Sequence, residues 1–391
     1  MTRRQRVLVS VTALLAPVLA AAPAVGQSLA GASGLGFPLE AVDARGRALG
    51  SAGVGLFGPS VVPADPAAAA DLGIPTVTFT FQTSWIASDG FADASAVSTR
   101  FPVLGLAYPI SAYGVATFTF GGFLDQGWNV ELQRDLDLGE STARATDLFE
   151  SEGGVSAVRV GFSRRLSPSL AVGVAAGSYV GGTTRRFTRT FDSTAVGTTV
   201  PPLSIGGRWA FSGPTVTAGA QFDAGAFLRV AGSLTWSGTL HADPTDDTDG
   251  APADWEIPTL LRVGASGALT EALSVVAGFG YGDWSSSGVT EAGAGGTAWD
   301  AGVGIEWSGG TILGRQSPIR LGYRSSRMPF HFQGHESKET LWAGGLGLNL
   351  AQVSNIPLAR LDLALERGHR TAGALSENFW RSTVTVRVAG F

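Results

Sequence analysis

The stretch Trp299-Asp300-Ala301-Gly302-Val303-Gly304-Ile305-Glu306-Trp307 decides the fold. Trp299, Ala301, Val303, Ile305 and Trp307 share one parity; Asp300, Gly302, Gly304 and Glu306 share the other. A period of two marks a strand with two unlike faces. The pattern begins at Thr76, where Val77, Phe79, Phe81 and Trp85 alternate with Thr78, Thr80, Gln82 and Ser84. It recurs late, where Ala359, Leu361, Leu363 and Leu365 alternate with Arg360, Asp362 and Glu366. A soluble β-sandwich also alternates, but its outer face should be rich in Lys and Glu. Here the second face is mostly Gly, Ser, Thr and Arg. The pattern predicts an all-β protein, an antiparallel transmembrane β-barrel whose apolar face meets lipid and whose polar face lines the lumen. Trp85, Trp236, Trp299 and Trp307 then belong at the membrane interfaces.

Composition agrees. The chain has 391 residues, 44% hydrophobic and 15% charged, against about 25% charged in soluble domains. Apolar residues come in short runs, and after the N-terminus none reaches the roughly 18 residues of a spanning helix. With no Cys there is no disulfide framework, no thiolate metal site and no cofactor signal. The net charge of −5 without a basic block argues against a nucleic-acid partner.

Fourteen strands are predicted, at about 76–87, 100–109, 113–123, 153–165, 169–180, 205–222, 225–240, 256–268, 272–286, 297–308, 317–327, 338–350, 356–367 and 379–391. Short connections (Ile110-Ser111-Ala112, Ser167-Pro168, Asp223-Ala224, Thr270-Glu271) alternate with long ones near 124–152, 181–204 and 241–255. Short periplasmic turns and long outer loops are the barrel habit. The even count places both chain ends on the periplasmic side. Phe391 is out of phase with Val384, Val386 and Val388, and a bulge at Ala389-Gly390 would restore it.

The domains follow. Residues 1–26 read as a secretory signal peptide: Arg3, Arg4 and Arg6, then apolar Val7 to Leu19, then small residues at Ala24-Val25-Gly26. Residues 27–75 lack alternation and are too apolar for a free tail. A plug inside the barrel 76–391 or a loose periplasmic extension are the two readings open for them.

With Arg47-Ala48-Leu49-Gly50, a small-residue stretch and then Asp65-Pro66-Ala67 before the first strand, the chain resembles the long-chain fatty-acid transporter (FadL-type) family of outer-membrane proteins. Asp65 stands where the family usually has Asn. The resemblance continues through Ile257-Pro258 to Arg262-Val263-Gly264, Tyr281-Gly282-Asp283-Trp284-Ser285, Ile319 to Tyr323 and Leu361 to Leu365. It implies fourteen strands, an N-terminal hatch, a Gram-negative-type outer membrane and passive passage of hydrophobic compounds, fatty-acid-like or aromatic. Hatch rearrangement and sideways exit through the wall are part of that implication. Membrane lipid and a hydrophobic small molecule are the implied partners. A non-transporting barrel in protein secretion or surface attachment, with a protein partner, is the alternative; a general porin is a third.

Candidate sites are read from residue type and place. Asp65, Pro66 and Ala67 set a rigid turn suited to a hatch hinge, or an ordinary turn. Gly121 and Gly122 mark a wall kink, or simple tolerance of Gly in a barrel. Phe123, Leu124 and Trp128, with Val130 and Leu132, would form a greasy capture patch on the outer loop, or extend strands above the membrane. Arg159, Arg229, Arg262, Arg320, Arg324 and Arg360 fall on lumen positions with Asp300, Glu306, Asp362 and Glu366, as an ion-pair network holding plug to wall or as a hold for a carboxylate headgroup. Of the four His residues, His331 and His335 are spaced for metal only on a helix, and a loop is expected there; His241 and His369 stand apart. No nucleophile elbow occurs, so no enzyme activity is expected.

Overall fold

The structure, a computed structural model, describes residues 28–32, 34–89, 94–110, 113–137, 142–192, 201–245, 248–289, 294–312, 314–353 and 356–390. The signal-peptide reading and Phe391 lie outside them. The wall has fourteen antiparallel strands: β1 (Thr76–Asp89), β2 (Ala94–Ile110), β3 (Gly114–Asp125, resuming as Trp128–Asp137), β4 (Thr142–Ser167), β5 (Leu170–Phe191), β6 (Leu203–Ala224), β7 (Leu228–Ser237 and Thr239–Thr245), β8 (Ala253–Glu256 and Leu260–Ala268), β9 (Leu273–Asp283), β10 (Thr297–Trp307), β11 (Ile319–Phe332), β12 (His335–Val353), β13 (Ile356–Ala372) and β14 (Leu375–Ala389). β1 pairs with β14 from Thr76–Ala389 to Asp89–Ser376, which closes the barrel.

Burial is inverted relative to a soluble protein. Along β1, Thr80 is 0% and Gln82 1% exposed, while Trp85 between lipid-facing neighbours is 45% exposed. Val160, Trp342 and Leu365 on other strands are likewise exposed, and Arg320, Asp362 and Glu366 are buried. Only a lipid surround makes that distribution favourable, since a polar lumen and an apolar exterior are the barrel's solution to the bilayer.

Three of the expected loops are strand. β4 has 26 residues and β5 and β6 have 22 each, whereas crossing takes about 9–11. The surplus of β3 to β6 stands beyond the membrane as a sheet, so the described residues of 124–152 and 181–204 are mostly strand, and β7 and β8 likewise continue through 241–245 and 253–255. Alternation fades there because water wets both faces, which removes the pattern but not the ladder. β2 likewise begins at Ala94, earlier than expected. His331 and His335 fall at the ends of β11 and β12 around a tight turn, not in a loop. β14 pairs without a bulge to Ala389, and Gly390 then takes φ +74°.

Residues 28–75 pack against inward-facing wall residues. Ser28 Oγ donates to Glu377 at 2.6 Å, and the Leu29 N–H to the same carboxylate at 2.8 Å, at the outer end of β14. This corrects the expectation that both chain ends lie on the periplasmic side: the two ends of the wall do, but the described segment starts at the outer end. The chain then descends through helix α1 (Ala44–Ala48), capped by Asp43, whose carboxylate accepts from the Gly46 N–H at 2.8 Å. It reaches a 3-10 turn at Pro66–Ala69 before β1. Inward glycines let it lie close. Gly50 has φ +74°, and a Cβ on Gly302 would collide with the Gly50 carbonyl.

That contact is testable, because a single cysteine is unique in this chain. In Ser51→Cys the thiol should label slowly with maleimide; adding Gly302→Val should raise the labelling rate several-fold and lower the unfolding temperature. Equal rates would mean that contact with β10 does not hold the segment.

Candidate functional site

The lumen has an apolar part and an ionic part, and a further buried ion-pair cluster of Arg370 with Glu339 and Glu377 lies at the outer end. Towards the outer end lies a buried apolar cluster that includes Leu35, Leu124, Tyr179, Phe211, Trp284 and Phe330. Phe123 stacks on Tyr179 at 4.7 Å and on Trp284 at 6.0 Å, and Trp284 meets Phe330 edge-on at 5.3 Å. Below it the lumen is ionic. Arg45 grips Glu306 with two bonds of 2.8 and 2.9 Å. Glu306 also accepts from Arg320 at 2.6 Å, Arg320 donates to Asp362 at 2.7 Å, and Arg360 to Asp362 at 2.9 Å. Glu40 pairs with Arg324, and with Arg47 at 3.5 Å. Arg47 lies 4.0 Å from Glu366, and Asp43 3.6 Å from Arg387. Arg229 donates to Asp223 at 2.6 Å and to the Leu56 carbonyl at 3.0 Å. These pairs join segment to wall through forked guanidinium contacts.

Between the apolar and ionic parts lie two cavities of about 70 and about 100 Å³. Leu39, Glu40, Phe123, Leu260, Arg262 and Asp300 line both and so divide one amphipathic space. Arg262 has no hydrogen bond or ion pair within 4 Å among the described residues. Arg159 donates to Thr215 at 3.0 Å, a neutral partner. Two guanidiniums thus face an apolar ceiling without a carboxylate bound to either.

The wall is discontinuous beside this space. The β2–β3 ladder runs from Ile110–Gly114 to Val103–Gly121 and stops. Pro102, with no N–H to donate, stands where it stops. On β3 the register with β4 shifts between Gly122 and Leu124, and the strand breaks after Asp125. The edge that β2 leaves is taken from inside: Phe37 pairs with Asp125, Pro38 with Leu124, and the Leu39 N–H donates to the Phe123 carbonyl at 2.8 Å. Arg100 of β2 reaches Asp125 of β3 at 3.3 Å across the gap. A cavity of about 750 Å³ opens there, lined by Phe101, Gly122, Leu124 and Trp128 among others. Leu39 lines this cavity and both inner ones.

The residues expected to form an exposed outer patch lie elsewhere. Leu124 is buried, Phe123 packs into the lumen cluster, and Trp128 packs against the start of the segment at Leu29 and Ala30. β3 carries them inward rather than looping out. An apolar row does cross the outer sheet: Val130, Phe149, Phe187 and Ile205 are successive cross-strand partners, with the Phe rings 4.9 Å apart. Val130 was among the expected patch residues; Phe149, Phe187, Ile205 and Leu39 were not foreseen. The row needed strand pairings to be visible, and Leu39 sits in a segment without periodicity. The turn residues Asp65, Pro66 and Ala67 are buried. The Asp65 carboxylate accepts from Gln221 Nε2 at 2.7 Å instead of capping its own turn, and its other oxygen has no partner.

No protein-family model and no curated protein matches the chain. Solved structures do. A FadL homologue of Pseudomonas aeruginosa aligns with 91% of this chain and 100% of its own at TM-score 0.62 and 14% identity. The toluene transporter TodX of Pseudomonas putida aligns over 90% and 99% at TM-score 0.56 and 14% identity. The CymD monoaromatic hydrocarbon channel aligns over 91% and 98% at TM-score 0.52 and 13% identity. The chain has the FadL-type fold. With its lipid-facing exterior it is an outer-membrane β-barrel; among these neighbours TodX is named a toluene transporter and CymD a monoaromatic hydrocarbon channel.

Burial raises the Asp65 carboxyl above its ordinary range, and the Gln221 hydrogen bond offsets only part of this. The folded state therefore prefers the protonated acid. Its penalty is absent below the unfolded pKa and grows as pH rises towards the folded one. Docking of the segment should weaken over that window. Asp65→Asn should remove this part of the pH dependence and stabilise the neutral-pH protein by about 1–3 kcal/mol, the cost of an unsatisfied buried group. Labelling of Ser51→Cys against pH, with and without Asp65→Asn, reads both; identical profiles would refute the assignment.

Proposed function

We propose that the protein is a passive outer-membrane channel for hydrophobic compounds, with a preference for apolar molecules that end in a carboxylate. The observation that carries this reading is the amphipathic space in the lumen. An aromatic ceiling suits an alkyl or aryl body, and Arg159 and Arg262 below it suit an anionic head. A purely polar lumen would suit a porin, and a fully paired one a scaffold.

The proposed route begins at the apolar row Val130–Phe149–Phe187–Ile205, where a hydrophobic molecule leaves water. It passes to the cluster at Phe123, Tyr179 and Trp284. Its carboxylate exchanges water for the Arg262 guanidinium, a charge-assisted bond in a site of low dielectric. The cavities are small, so accepting a long chain requires Leu39 and the residues around it to move. Residues 28–75 act as the hatch, with the turn at Asp65, Pro66 and Ala67 as its lower hinge. When Leu39 withdraws, the inner space joins the gap between β2 and β3, and the molecule leaves sideways into the apolar membrane. Movement is down a gradient and no catalytic step is involved.

Uptake of a radiolabelled long-chain fatty acid by a host lacking its own hydrophobic-compound channel tests the route. Gly122→Trp, which fills the gap, should reduce uptake to background while the barrel stays heat-modifiable. Leu39→Ala should increase it. Uptake unaffected by Gly122→Trp in a correctly folded barrel would overturn the lateral exit.

Headgroup preference is read separately by calorimetry on the purified protein. Arg262→Gln should weaken decanoate binding about tenfold, the loss expected for a hydrogen bond to a charged group. It should leave decanol unchanged. Equal losses for acid and alcohol would assign Arg262 a structural role instead.

A further inference from the structure

The lipid-facing surface carries one feature that transport does not use. The outward row at the outer end of the apolar band runs Trp85–Trp380–Arg367–Trp342–Tyr323 through direct cross-strand pairs of β1, β14, β13, β12 and β11. Trp85, Trp342 and Trp380 are exposed large aromatics, as an interfacial belt should be. Arg367 interrupts it. Its guanidinium lies over the Trp380 ring at 4.9 Å, and Trp342 on the other side is tilted against Tyr323 at 4.9 Å.

Below this row the outward residues of β13 are Leu365, Leu363 and Leu361, and those of β14 are Ser382, Val384 and Val386. No charge occurs among them. Leu365 is flanked on its row by two small residues, Ser382 and Gly344, so its side chain stands above its neighbours. Above Arg367 the surface becomes polar. His369 bonds Asn378 at 3.1 Å and pairs with Thr340. Higher still, Lys338 and Arg327 share Glu336 at 3.8 and 3.1 Å, with Asp89 at the far end of the same row. Those upper cations have a carboxylate; Arg367 has the Trp380 ring and no ion pair among the described residues.

We propose that Arg367, in the row between Trp380 and Trp342, binds the phosphate of a membrane lipid whose acyl chains lie along Leu361, Leu363 and Leu365. Three facts favour a lipid over a soluble anion. The guanidinium is at the boundary of the apolar band, where lipid phosphates lie. The surface beneath it is apolar and open to the bilayer. The Trp380 face excludes water from one side of the ion pair and strengthens it. The site is outside the barrel, so its occupancy fixes the protein in the leaflet and does not depend on any passage through the lumen.

Native mass spectrometry in a neutral detergent tests this with dioleoylphosphatidic acid and dioleoylglycerol, which differ only by the phosphate. The wild type should retain one phosphatidate and no diacylglycerol. Arg367→Gln should lower phosphatidate retention about fivefold or more, the worth of one basic residue at a membrane surface, and Arg367→Lys should lose less. Arg164→Gln, an exposed arginine at the other end of the barrel, should have no effect, and all three variants should remain heat-modifiable. Equal retention by Arg367→Gln, equal retention of diacylglycerol, or displacement of phosphatidate by millimolar inorganic phosphate would each overturn the assignment.

Discussion

Charge compensation in the lumen is the constraint on which the rest of the structure depends. The wall buries Arg320, Arg324, Glu306 and Glu366 on its inner face, where little water screens them, and Arg387 stands partly buried on the same face. Breaking a buried pair costs about 3–5 kcal/mol, because it leaves an uncompensated charge. The segment before β1 brings Glu40, Asp43, Arg45 and Arg47 to those sites. It is therefore part of the folded barrel and not an addition to it. Its position is fixed by complementarity of sign together with apolar packing, as at Leu49, Ala52 and Leu56 against Val276.

The same constraint locates where the segment can move. Around α1 the pairs are dense and forked, so displacement is costly. Near Leu39 the contacts are one backbone bond and side-chain packing against Gly122. At Asp65 a carboxylate is buried beside a neutral amide, with no cation to hold it. The segment is thus held by charge around α1 and Glu40, by Glu377 at its outer start, and by packing alone at the Leu39 side chain. The hatch movement proposed above would draw on the contacts at Leu39, beside the β2–β3 gap.

The wall was legible in the sequence because lipid and lumen demand opposite side chains at successive positions. Trp299 to Trp307 displays this, and all fourteen strands were found within a few residues where membrane surrounds them. Lumen arginines and acids followed from the same parity, and Arg320 with Glu306 and Asp362 meets as that parity required. The outer extensions of β3 to β6 were not legible, since water on both faces erases the alternation. Phe123 and Leu124 were misplaced for a related reason. Their apolar character reads equally as exposed loop or inner cluster until the register shift at Gly122 shows which way β3 turns. Leu39 gave no signal, because its role comes from three cavities meeting at one side chain.

A closed ladder and a sideways opening are in conflict, and the chain resolves it locally. Unpaired backbone groups facing lipid are costly enough to forbid open edges. Here β2 ends its pairing at Pro102, which removes one donor, and the glycines at 121 and 122 let β3 bend away. The exposed edge of β3 is then paired by Phe37 and Pro38 from the lumen side. Any motion that withdraws those two residues to widen the gap also uncovers that edge. Opening is thus penalised by the same hydrogen bonds that close it, and a hydrophobic molecule occupying the gap excludes water without replacing them. On the proposed lateral route the open state should therefore be brief and reversible, with hydrophobic molecules passing sideways while the axis stays closed to water.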